Sequence, residues 1–257
     1  MVANDHAPLP GARRQEHHMG TIIGIDIRDS LPTEQLESIL TNCFAEFARI
    51  EDVFSTFRPT SMISRLGRGE ITQSECTIEV RDILARCEDL RTTTNGAFDH
   101  RPIGGRVALD PAGIVKGWSV DQVANILIHA DVLHWCINAG GDVACHGGSA
   151  PGVPWNIGIR HPTQAHDVAL VLNAPALCVA TTATYERGDH VWGAAAPPYT
   201  SVSVMGPELW FADAAAKVVF TSGPKGIAWV SDHDGYDVAV MTSEGTLLTT
   251  PGVSAYR

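Results

Sequence analysis

Several features that would decide a function are missing from this sequence. No apolar run approaches the roughly 18 residues of a membrane span. The opening stretch, MVANDHAPLPGARRQEHH, has no apolar core of the kind that marks a secretory leader. A cytoplasmic protein without a membrane partner is therefore expected. The six cysteines, at 43, 76, 87, 136, 145 and 178, form no CxxC and no paired Cys/His spacing, which argues against a disulfide scaffold or a structural zinc site. Basic residues are also few. With 18 Lys and Arg against 29 Asp and Glu, the net charge is -11, and no cationic surface for nucleic acid is expected. Any bound phosphate must be held by a few local charges. GxGxxG and Walker A sequences are absent, as are low-complexity linkers and repeats with a period of roughly 20 to 50 residues.

What is present is a 257-residue chain, 44% hydrophobic and 18% charged, long enough to bury a large core. Residues 1–18, rich in Pro, His and charge, read as a mobile tail, with order beginning at MGTIIGIDIRD, where Ile23, Ile25 and Ile27 alternate as in a half-buried strand. Helical spacing of Leu36, Ile39, Leu40, Phe44, Phe47, Ile50 and Phe54 predicts a helix with Thr33 as its N-cap. A second helix fits TIEVRDILARCEDLRTTTNG, stopped by Asn95-Gly96, and a third fits GWSVDQVANILIHA. The second half reads as short strands, among them WCINAGGDVACHG, WNIGIR, VALVLN, ALCVAT, SVSVM, IAWV and DVAVMT. Without a regular βαβ period, the class is α+β.

Three stretches place polar residues in apolar surroundings. In LDPAGIVKGWSVD (109–121), a short strand would lead through Gly113 and Gly117 into a helix, with Lys116 at the turn where backbone amides favour an anion; a lysine facing solvent is the plain alternative. In INAGGDV (137–143), Gly140-Gly141 is either a hairpin turn or a close backbone approach to a ligand. ADAAAKVVF (212–220) would stack Asp213 and Lys217 on one helix face, with Thr221 continuing the stripe. Alone, that pair reads as a surface salt bridge worth about 0.3 to 0.5 kcal/mol.

In order along the chain, MGT (19–21), FSTFRPTSMISRL (54–66), GAFD (96–99), LDPAGIVKGWSVD, INAGGDV, WNIGIRHP, VATTATYERGDH and SVSVMGPELWFADAAAK resemble successive blocks of the ApbE family, the FAD:protein FMN transferases. The resemblance runs from Met19 to about Gly223. It implies one T-fold-related α+β unit over residues 19–257, with two lobes and a flavin cleft between them. It further implies FAD as donor, a Mg2+ ion beside the pyrophosphate, and a Ser or Thr hydroxyl of an acceptor protein attacking the FMN-side phosphorus as AMP leaves. Phosphoanhydride displacement of this kind needs charge neutralisation, a base and in-line positioning. Met19 falls on a flavin-contacting Met, and Phe57 stands where Tyr is usual. Ala97, Phe98 and Asp99 match a nucleotide-binding block. Asp110 and Lys116 match further FAD contacts, as do Asn138, Gly140, Gly141 and Asp142. His190 matches the histidine near the chemistry, with Val191 beside it, and Gly113 (through its carbonyl) and Asp213 match metal-binding positions. Plain alternatives remain: Met19 and Phe57 as ordinary core, Asp99 and Asp110 as turn caps.

Three departures fall on the expected reaction centre. The family's A-D-x-x-x-T ends here in Lys217, its H-x-x-D-P-x-T-G is HVWGAAAP, with Gly193, Ala194, Ala196 and Pro197 at the changed places, and its T-S-G is Thr181, Thr182 and Ala183. Lys217 either sits where the divalent ion would, pairing with Asp213 and a phosphate oxygen, or points to solvent and leaves a weak ion on Asp213 and the Gly113 carbonyl. Three activities stay open: FMN transfer with Asp213, Lys217 and His190 at the chemistry; retention of FAD as a flavin carrier, pseudoenzyme or flavin-dependent redox protein; and hydrolysis of FAD to FMN and AMP.

Overall fold

The computed structural model describes residues 10–101, 107–164, 167–184 and 198–257. Ile23, Ile25 and Ile27 form the buried face of a strand, as their period of two predicts. This strand, β2 (Thr21–Ile27), pairs antiparallel with β1 (Ala12–His18) through a two-residue turn at Met19 and Gly20. Residues 12–18 are thus an edge strand, which corrects the mobile tail expected there; residues 1–9 of that tail lie outside the described residues. The polar composition misleads because an edge strand is held by backbone pairing, and these side chains have partners on helix α1 (Thr33–Phe54). Arg14 bonds Glu37 and Thr41, and the His18 ring stacks 6.0 and 6.2 Å from those of Phe44 and Phe47.

The α1 stripe is buried as its spacing predicts, but Pro32 occupies the N-cap position, without a side-chain cap, and Thr33 is the first helical residue. Helices α2 (Met62–Gly67) and α3 (Ile78–Thr93) follow, and Asn95 and Gly96, both with positive φ, end the latter region as expected. Helix α4 (Ala112–His129) begins five residues before the sequence reading placed it, so Gly113, Lys116 and Gly117 lie within a helix, and residues 107–111 ahead of it form no strand.

Strands β3 (Trp135–Ala139) and β4 (Asp142–His146) form a hairpin on Gly140-Gly141; β5 (Gly148–Ala150), β6 (Val153–Arg160) and β7 (Val168–Ala174) make a separate three-stranded sheet. Then come β8 (Ala176–Ala183), β9 (Tyr199–Gly206), α5 (Leu209–Ser222), α6 (Pro224–Ser231), β10 (Asp237–Thr242) and β11 (Leu247–Thr249). IAWV, expected as a strand, lies in α6: Gly223 at φ 60 ends α5, Pro224 opens the next helix, and Gly226 lets it turn back tightly over Val219.

The large antiparallel sheet has the order β1-β2-β3-β4-β8-β9-β10-β11. One face packs on α1, α4 and α5; the other is covered by the small sheet through Trp155, Ile157, Ile159 and Leu172. A second core, where the end of α1, α3, Phe98, the start of α4 and the middle of α5 meet, forms a helical lobe. Met19, Trp210 and Trp229 pack against both. The class is α+β. All six cysteines are free, and among the described residues no helix is long and apolar enough to cross a membrane.

Candidate functional site

One face of α4 is built for close approach. Gly113, Gly117 and Asp121 recur every four residues along the side that meets α5. At Gly117 a Cβ would lie 2.5 Å from the Leu209 carbonyl oxygen, and at Gly113 it would lie 2.8 Å from the Phe98 ring. Asp121 then caps α5 from outside that helix, its two oxygens accepting from the N–H groups of Leu209 and Trp210 at 2.9 Å each. Sequence reasoning quoted Asp121 within a motif but gave it no role; the four-residue spacing was the available signal.

This register brings four charged side chains together. Asp213, buried on α5, pairs through Oδ1 with Lys217 and through Oδ2 with Lys116, at 3.3 Å. Lys116 also pairs with the buried Asp142 at the start of β4, whose Oδ1 accepts from Thr181 N–H at 3.0 Å. Burial pushes the Asp213 carboxyl up, but Lys116 and Lys217 together outweigh it and hold the group below the usual carboxylate range. The chain has three lysines, at 116, 217 and 225, and two of them meet on this one carboxylate.

Lys217 does not point to solvent. Its ammonium donates to the Gly113 carbonyl at 3.1 Å, to the Asp213 carbonyl at 3.1 Å, and to the Asp213 carboxylate. An ammonium has three N–H groups, so these acceptors use all of them. Of the two readings, the one that pairs Lys217 with Asp213 describes this arrangement, in which no N–H group is left over for a further acceptor. A divalent ion does not fit here either, because the Gly113 carbonyl and Asp213 carboxylate that would bind it are the atoms Lys217 occupies. Among the described residues, no three His, Cys, Asp or Glu side chains gather to hold an ion.

Around this floor, Thr221 extends the α5 stripe, its hydroxyl 2.9 Å from the Lys217 carbonyl of its own helix and 3.3 Å from the Ala97 carbonyl of the GAFD segment, where Phe98 is buried. Asp99 and Asp110 make local turns, accepting from the N–H groups of Arg101 and Ala112 at 2.9 and 3.0 Å. Lys116 lies in the second turn of α4 and faces carboxylates, a different setting from the expected anion-binding turn. Gly140 and Gly141, at φ 62 and 105, make the hairpin, and a Cβ at Gly140 would strike the Thr21 hydroxyl, so the turn is also a close approach. Asn138 Oδ1 accepts from Gly141 N–H at 2.9 Å. Asn138, Gly140, Gly141 and Thr181 line a cavity of about 370 Å³ whose other wall is β6, with Trp155 and Arg160. Phe57 is 93% exposed on the loop after α1 and stays outside both cores. His190 and Val191, like Gly193, Ala194, Ala196 and Pro197, lie outside the described residues.

The sequence profile of the ApbE family matches residues 19–104 and 101–240, which together make up most of the chain. The chain belongs to the ApbE family. Among ApbE relatives, the FAD:protein FMN transferase of Haemophilus influenzae is 24% identical over 167 residues, 59% of this chain and 48% of that protein. The FAD:protein FMN transferase of Vibrio cholerae is 31% identical over 121 residues, 47% of this chain and 35% of that protein. The chain therefore spans at most about half the length of these relatives. The crystal structure of the ApbE protein from Thermotoga maritima superposes with a TM-score of 0.82 at 19% identity, covering 95% of this chain and 98% of that one. The flavin transferase ApbE from Vibrio cholerae gives 0.81 at 19% identity, covering 96% and 100%. The ApbE fold is thus retained around a floor of two lysines and two aspartates.

Proposed function

We propose that this chain binds FAD in the cleft above Asp213 and transfers the FMN unit to a Ser or Thr of an acceptor protein, releasing AMP, with the Lys217 ammonium standing in for the metal. The carrying observation is that Lys217 bonds the Gly113 carbonyl and the Asp213 carboxylate, the two groups that the family resemblance assigns to the ion. In the reaction the acceptor hydroxyl oxygen bonds to the FMN-side phosphorus and the anhydride bond to AMP breaks; the hydroxyl proton needs a base, a role for which His190 is the candidate. Lys116, held between Asp142 and Asp213, is the cation to which this reading gives the pyrophosphate. Gly140 and Gly141 let backbone approach the ligand, and the adjoining cavity has room for one nucleotide-sized part of it.

A second reading, retention of intact FAD, has its own support. Lys116 and Lys217 are balanced by Asp142 and Asp213, and Lys217 has no N–H left for charge developing on phosphate. Transfer would then be slow or absent. The two are separated by incubating protein with FAD, with Mg2+ and with a chelator, and assaying for AMP, free FMN and FMN-modified protein. AMP with labelled protein supports transfer, AMP with free FMN supports hydrolysis, and intact bound FAD supports retention. For the metal, the protein is expected to bind FAD equally with Mg2+ or chelator, whereas Lys217→Thr should gain Mg2+-dependent binding. Mg2+-dependent FAD binding by the unaltered protein would overturn the substitution.

A further inference from the structure

The β1–β2 turn carries a residue type that the turn disfavours. Met19 has φ 51 and Gly20 has φ 73, and a two-residue hairpin with both φ values positive normally takes Asn, Asp or Gly at its first position. A Met held there costs conformational energy unless its surroundings fix it. They do so through one carboxylate. Glu51, in the last turn of α1, accepts from Met19 N–H at 3.1 Å through Oε2, which also lies 3.5 Å from His18 Nδ1. Its other oxygen, Oε1, accepts from Arg58 Nη2 at 3.2 Å, and Arg58 further pairs with Asp52.

The same carboxylate therefore grips both sides of the seam between the lobes. On the sheet side, Met19 packs against both cores, and Thr21, two residues on, abuts the Gly140 turn at the cavity. On the helical side, Arg58 follows Phe57 in a loop whose root is pinned at the Ser55 carbonyl by the hydroxyls of Ser61 and Ser64, at 2.6 and 3.2 Å. The Glu51 side chain is 20% exposed, so these bonds are only partly open to competition from water.

We infer that Glu51 is a positioning residue that sets the spacing of Met19 and the Phe57 loop, and through them the grip on a planar aromatic heterocycle, the isoalloxazine of a flavin. This rests on the FAD reading above. Glu51 holds a strained turn and the loop of an exposed aromatic residue at one separation. Its loss should weaken the flavin end of a dinucleotide and spare the adenylate end, which depends on the lysine and glycine floor.

The test compares FAD and ADP binding to the full chain and to Glu51→Ala, Glu51→Gln and Arg58→Met, with far-UV circular dichroism and melting to establish that each is folded. FAD binding is read by fluorescence quenching and by the visible spectrum of the bound flavin. Glu51→Ala should weaken FAD about tenfold, the loss expected for a charge-assisted hydrogen bond, with ADP affinity unchanged and an altered flavin spectrum. Glu51→Gln, which still accepts from Met19 N–H, should recover most of the affinity, and Arg58→Met should fall between. Unchanged FAD binding in Glu51→Ala, or equal weakening of FAD and ADP in a folded variant, overturns the inference while leaving the FAD reading intact. If the unaltered protein binds ADP but not FAD, the FAD reading fails and takes this inference with it.

Discussion

The two ends of the α4–α5 contact each hold a carboxylate, Asp213 buried and Asp121 partly buried, and they treat it in opposite ways. At one end Asp213 meets two ammonium groups; at the other Asp121 meets two backbone N–H groups. Both helices come close because glycine stands at the contact, Gly113 beside Phe98 and Gly117 beneath Leu209. The protonation behaviour diverges accordingly. Asp213 is held below the usual carboxylate range by Lys116 and Lys217 despite its burial, whereas burial pushes Asp121 up to about 6 although the N–H groups of Leu209 and Trp210 pull the other way. One carboxylate gathers two cations, and the other fixes a helix end. Asp213 is the more buried of the two yet the one held low, so the partners decide the direction.

Removing a partner at the charged end should have the largest effect. Lys217→Met leaves Asp213 with one cation, and urea unfolding should show a loss of about 3 kcal/mol, the low end for a broken buried pair. The low end applies because the Lys217 side chain is 31% exposed. Next, Gly117→Ala drives a Cβ into backbone on α5, and should cost about 2 kcal/mol by the same measurement. Gly113→Ala meets the Phe98 ring, a side chain able to turn aside, and should cost less than Gly117→Ala. Asp121→Asn keeps a cap acceptor and should cost about 1 kcal/mol. If Asp121→Asn proved more destabilising than Lys217→Met, the contrast between a charged site and a structural cap would collapse.

The smallest and most discriminating effect is on pH dependence. A carboxyl raised on folding gives Asp121 a stabilising contribution that is full below its unfolded value, about 4, and is lost as pH rises through about 6. A carboxyl lowered on folding gives Asp213 the reverse: its contribution is present above about 4 and is lost as pH falls through the folded value. Urea midpoints measured across the acid range should show Asp121→Asn abolishing a decline between about pH 4 and 6. Asp213→Asn should instead abolish a loss of stability at lower pH. The same slopes in both variants would mean that the two ends are not different after all.

Much of this was legible beforehand. The period of Ile23, Ile25 and Ile27, the α1 stripe, and the Asn95-Gly96 stop are local signals and were read correctly. The stripe of Asp213, Lys217 and Thr221 does lie on one helix face, toward the Gly113 and Ala97 carbonyls. What escaped depended on neighbours distant in sequence. Residues 12–18 look like a tail until α1 offers partners to Arg14 and His18, and IAWV looks like a strand until Gly226 packs it against α5. Glu51 looks like any surface acid of an amphipathic helix; only the position of Met19, 32 residues away, gives it a task.

The sequence by itself determined most element types, the α+β class, the glycine spacing on α4 and the polar stripe on α5, because each follows from periods and propensities within one segment. Tertiary structure decided where the Lys217 ammonium goes. Sequence spacing placed Lys217 one turn from Asp213, but its choice between solvent, phosphate and protein depended on the Gly113 carbonyl, 104 residues away, coming within 3.1 Å. That distance is set by how closely α4 and α5 pack, a property of two helices together that neither segment encodes alone.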